Sequence, residues 1–145
     1  MFNRTFIALV VICICTAGFG QNFDQRLIDH FGTDHLTYMQ QNAPNVLVQH
    51  NFYLENAVRV DLAGQKNVST FPDVSTISLK PGVAHSTSIE NDINSGTFNP
   101  FLYELGQHET AYRYYKIGNT GKVLAVLPRK VYTQKLNDHV GSSYE

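Results

Sequence analysis

Cysteine is all but missing from this chain. There are two, Cys13 and Cys15, and both sit in an apolar run near the start. Residues 16–145 therefore have no disulfide, thiolate nucleophile or cysteine ligand to draw on, and must hold together by burial. Long hydrophobic runs are missing too. The longest, residues 6–15, is about ten residues, half of the roughly twenty that crossing a bilayer requires. Positive charge is not in excess: eleven Lys and Arg stand against twelve Asp and Glu, a net charge of −1. That balance argues against a nucleic-acid partner.

Familiar catalytic spacings are also lacking. No GxSxG elbow occurs. GNTGK at 118–122 shares a fragment with a phosphate-binding loop, but lacks the rest of the spacing and the helix that should follow. His85, Ser86 and Asp92 contain the residue types of a hydrolytic triad, yet nothing in their spacing supports one. Glu90 and Asp92, or Glu104 and Glu109, are the only close carboxylate pairs considered for acid–base work. The former pair falls in a polar stretch with no apolar pocket to raise a pKa. No catalytic residue, metal or cofactor is expected.

The first twenty residues have the three-part build of an export signal: an early charge at Arg4, the apolar run, then the small-residue exit TAGFG. Cleavage is expected before Gln21, with cleavage after Ala17 or Gly18 as the rival. Ile12 and Ile14 precede the cysteines where lipidation would want a small residue. About 125 residues then remain, one ordinary domain at 21–137 with a loose tail at 138–145. Without Arg4 the basic residues fall to ten against twelve acidic, a net −2, and no membrane span remains. The expected location is secreted or periplasmic.

Along this domain, NFDQRLIDHFG reads as a short helix capped by Asn22 and ended by Gly32. Thr33 or Asp34 can cap a second helix with Leu36 and Met39 or Gln40 inward. In DHFGTDH, residues 29–35, the two Asp-His pairs raise the question of a metal. On one unbroken helix His30 and His35 would lie about 140° apart, too far to share an ion, and helix ends explain both pairs without one. A third helix is expected from Asn45 to about Asn56. VRVDL at 58–62 alternates like a strand, and 73–80 is a second strand candidate. Residues 83–99 read as a long surface loop, and NPFLYELG, 99–106, as a third strand with Phe101, Tyr103 and Leu105 on one face. AYRYYKI-GNTG-KVLAVLP is a β-hairpin stopped by Pro128. RKVYTQKLN closes as a short helix with Val131, Lys135 and Leu136 toward the body. The fold class is α+β: N-terminal helices, a small antiparallel sheet with a C-terminal hairpin, and a short last helix.

Charge is unevenly spread. Residues 21–109 carry four basic and ten acidic side chains, and 110–145 six and two. Between 113 and 135 there are cations and no anion. The expected partner surface is accordingly Tyr112, Arg113, Tyr114, Lys116, Lys122, Arg129 and Lys130, a tyrosine pair among cations facing an acidic protein. The plainer explanation is solvated charge and cross-strand ring packing. The expected function is that of a small exported, non-catalytic domain acting through protein contacts in a cell-envelope or extracellular assembly. The alternative is a small-ligand or carbohydrate binder using Tyr112, Tyr114 and residues 83–99, and a further one a metal-dependent hydrolase. Asn67-Val68-Ser69 is a glycosylation triplet, which matters only in a eukaryotic source.

Overall fold

A computed structural model describes residues 22–64 and 67–142. The expected export signal and its cleavage lie outside the described residues. Three helices lead: α1 (Gln25–Phe31), α2 (Thr33–Asn42) and α3 (Pro44–Asn56). Strand β1 (Val58–Leu62) follows, then α4 (Ile89–Ser95), the hairpin of β2 (Arg113–Lys116) and β3 (Lys122–Val126), and α5 (Arg129–Ser142). The strands form one antiparallel sheet in the order β1-β3-β2. This is an α+β fold, with three helices before the sheet, α4 between its first and second strands, and one helix after it.

The central place of β3 follows from its composition. After Lys122, VLAVL is a continuous apolar run with no polar face to offer water, and residues Val123 to Leu127 are all buried. Its two neighbours take the alternating sequences. One apolar cluster forms under the sheet from Tyr115, Ile117, Leu124 and Val126 with Val74, Ile89, Phe98 and Tyr103. A second joins the leading helices through Leu27, Leu36, Met39, Leu54 and Phe101. Phe101 and Tyr103 belong to different clusters two residues apart, so the 99–105 segment ties helices to sheet.

Several boundaries differ from expectation for local reasons. Asp24, not Asn22, caps α1, its carboxylate accepting from the Arg26 amide at 2.9 Å. Gly32 is shared: it closes α1 and opens α2, with φ 77° and ψ 150°, so neither Thr33 nor Asp34 is the cap. Residues 73–80 are not a strand. The Asp73 carboxylate accepts from the Ser75 amide and caps a 3-10 turn at Val74–Thr76, because short polar side chains outbid strand pairing for nearby amides. Only a bridge, Leu79 with Tyr103, pairs this segment with 100–106, which opens on a second 3-10 turn at Pro100–Leu102.

Residues 83–99 are not all loop. The Ser88 side chain caps α4, and Gly96 ends it in the left-handed conformation. Ile89 and Ile93, four apart, point into the sheet cluster. The last helix is not short: its fourteen residues take in 138–142, assigned above to a tail. Its Tyr132 ring meets Phe52 and Tyr53 of α3, whereas Lys135, expected inward, is exposed.

Candidate functional site

The hairpin sets where the expected site residues go. Alternation along β2 puts Tyr112, Tyr114 and Lys116 on one face and Arg113 on the other. Tyr112 and Tyr114 stack with centroids 6.0 Å apart, and Phe71 stacks on Tyr114 at 5.4 Å. Arg59 reaches across from β1 to lie 5.5 Å from the Tyr112 ring centroid. Tyr114 stands directly opposite the buried Ala125 on β3, the packing role that aromatics commonly take on strands. Arg113 turns inward over the Tyr115 ring at 5.3 Å and donates to the Gly106 carbonyl at 3.3 Å. Arg129 stands 3.7 Å from Glu109 at the start of α5, with Lys130 exposed beside it. Lys122 stands opposite Leu62 at the far end of β3. The seven residues are thus divided between two sheet faces and a helix start.

The DHFGTDH histidines, His30 and His35, gather with His50 around the Phe31 ring. Phe31 is ringed by His30 at 4.5 Å, His50 at 4.6 Å and His35 at 6.0 Å, and His30 stacks on Phe101 at 5.1 Å. Burial lowers the His30 pKa, with Lys80 adding to it. Burial also lowers that of His50, with His30 and His35 contributing. Among the described residues no three His, Cys, Asp or Glu side chains converge as metal ligands.

A cleft of about 790 Å³ runs between α1 and the 83–99 segment, lined by Arg26, His30, His85, Thr87 and Asp92 among others. Neither Tyr112 nor Tyr114 lines it. At its base lies a grouping set aside as chance in the sequence. Asp92, 4% exposed, accepts from His85 Nε2 at 2.5 Å, Thr87 Oγ1 at 2.7 Å and Tyr103 Oη at 2.9 Å. The hydroxyl that joins His85 is Thr87's, at 2.8 Å. Burial works to raise the Asp92 pKa, but the hydrogen bonds from Thr87, His85 and Tyr103 hold it below the usual value. The Tyr103 hydroxyl is pushed up, by burial first and then by Asp92. Asp92 is thus not in a merely polar loop, as its neighbours in sequence suggested. Arg26 in the same cleft is already held by both carboxylate oxygens of Asp24 and by the Phe98 carbonyl.

The remaining unusual feature is β1. In the register, Val58, Val60 and Leu62 share a face with Leu124, Val126 and Tyr115, the residues of the sheet cluster. Only Val58 packs there. Val60 is 47% exposed and Leu62 77%. The backbone groups of these same three residues face away from β3, because Ala57 and Ala63 on either side make the bonds to it (Leu127 N–H to Ala57 O, Ala63 N–H to Gly121 O, each 3.0 Å). Among the described residues, β3 is the only sheet neighbour of β1. An edge that is open and also apolar is what folded proteins usually avoid.

The chain matches no family model, and no curated protein or solved structure is significantly similar to it. Its function is therefore argued from this geometry. Sequence reasoning missed the β1 edge because VRVDL has the pattern of a half-buried strand, and the pattern does not say how far the core extends beneath it.

Proposed function

We propose that the protein is a small exported, non-catalytic domain that works through protein contacts, secreted or held in the periplasm. Its contact surface is the outer edge of β1, bordered by Lys122, rather than the dispersed cations and tyrosines of the hairpin. The observation that carries this reading is Leu62, 77% exposed on a strand whose outer edge has no neighbour among the described residues, beside an equally apolar Val60. Such an edge offers hydrogen bonds and apolar area together, the means by which an extended segment adds to a sheet. The export half rests on residues 1–20, and no helix among the described residues is long and apolar enough to cross a membrane. The test is photo-crosslinking in the native host from position 62, with position 130 as control. Protein adducts from 62 and none from 130 are expected. No adduct from 62 would overturn the reading.

A second reading has one observation in its favour, the Asp92–His85 pair in an open cleft, which would suit a small polar ligand. Weighing against it, the cleft's polar side chains already satisfy one another. Ligand-induced shifts of the Thr87 and Asn91 amide resonances, absent in His85→Gln, would favour it.

A further inference from the structure

We infer that the segment pairing with β1 is β1 of a second copy of this chain, the two running antiparallel about a two-fold axis through Val60. The inference rests on the protein-contact reading above and names its partner.

The register decides it. A symmetric antiparallel pair places residues whose numbers share one sum opposite each other. Centred on Val60, Val58 faces Leu62 of the second copy and Arg59 faces Asp61 of the second copy, with the reciprocal pairs completing all five residues. Both charge pairs are then of opposite sign. Centred on Arg59, two arginines would face each other, and centred on Asp61, two aspartates. Like charges directly opposite weaken a ladder. Of the three centres, only Val60 pairs every residue of the strand favourably.

Three other features agree with this centre. The outward backbone groups belong to Val58, Val60 and Leu62, so Val60–Val60 and Val58–Leu62 become hydrogen-bonded pairs, and Arg59–Asp61 the closer, non-bonded pair where side chains meet. The apolar side chains of both copies fall on one face. Leu62 of each copy arrives beside Val58 of the other. There a groove of about 300 Å³, lined by Leu54, Val58, Ile93 and Phe98 with Arg26 and Glu55 also among its lining residues, gives that leucine the cover it lacks in the single chain. Finally, Arg59 is within 2.7 Å of its own Asp61 on the opposite face, so both charges already lie where the second copy's would meet them. The product is a six-stranded sheet with β1 at its centre, and the surface patch is self-complementary, as a two-fold interface requires.

Sedimentation velocity of the full chain tests this with two substitutions made separately, Arg59→Asp and Asp61→Arg. Arg59 is exposed and Asp61 half-buried, and circular dichroism checks that each variant folds. The wild type is expected to dimerise reversibly. Each variant alone then has two like-charge pairs and should bind itself about tenfold or more weakly. A one-to-one mixture of the two restores both opposite-charge pairs and should recover dimers, although each chain still lacks its internal ion pair. A monomeric wild type, single variants as tight as wild type, or a mixture no tighter than its components would each overturn the inference. A monomeric wild type that still crosslinks from position 62 to a different protein would leave the protein-contact reading standing. Loss of all crosslinks from 62 would remove both.

Discussion

At the scale of single residues, two positions hold most of the local strain and polarity. Gly32 has a positive φ with an extended ψ, a combination almost confined to glycine, and serves two helices at once. Gly32→Ala should therefore cost about 1–3 kcal/mol in urea unfolding, although open space surrounds the position. A cost near zero would mean the turn relaxes. Asp92 is the other. It gathers His85 and Thr87 from the segment before α4, and Tyr103 from the segment after it, on one carboxylate. Tyr103→Phe removes one donor to a buried charge and should cost about 1.5–3 kcal/mol. Asp92→Ala should cost more, since it removes the acceptor that three groups share and leaves the Tyr103 hydroxyl without it, and amide exchange should quicken at 85–92.

At the scale of elements, β1 behaves as an edge whose donors face solvent. Proline is tolerated on such an edge where the amide is unpaired. Val60→Pro should accordingly leave the melting temperature within a few degrees of wild type while abolishing association. Unfolding of that variant would mean the Val60 amide is engaged within the chain. The elements that the sequence made legible are those whose pattern is set by burial: α1 to α3, β1 and the hairpin with its GNTG turn. Those it hid are set by side-chain capping. Ser88 and Gly96 bracket a seven-residue helix within a run of Ser, Asn and Asp that otherwise reads as loop, and Asp73 turns an apparent strand into a 3-10 turn. The candidate site was less legible still. Exposure of Leu62 depends on where the cluster under the sheet stops, and the Asp92 network on a helix whose ends were unmarked. The tyrosines and cations of the hairpin were visible in the sequence as residues, but their division between two faces follows from strand parity and the pairing of Arg59 with Tyr112.

At the scale of the whole molecule, two apolar clusters are joined by the 99–105 segment, and three histidines lie around Phe31 where one cluster meets solvent. The pH dependence has a definite sign. His30 and His50 have folded pKa values below the usual 6.5, so the unfolded chain binds more protons as pH falls through that value. Stability should decline below about pH 6.5, a loss complete once pH passes below the folded values. Asp24, Asp73 and Asp92, also lowered, add a further loss in the acid range below their usual 3.8. Melting temperature against pH should show the first decline flattened in His50→Leu, and an unchanged profile would remove the histidine cluster as its source. Assembly is the larger claim at this scale, since pairing of β1 would turn two three-stranded sheets into one. The most direct measurement is amide exchange at Val58, Val60 and Leu62 as the protein is diluted. Protection that is strong when concentrated and lost on dilution, while Val123 to Val126 stay protected throughout, is the predicted result. Exchange at the unprotected rate at every concentration would contradict it.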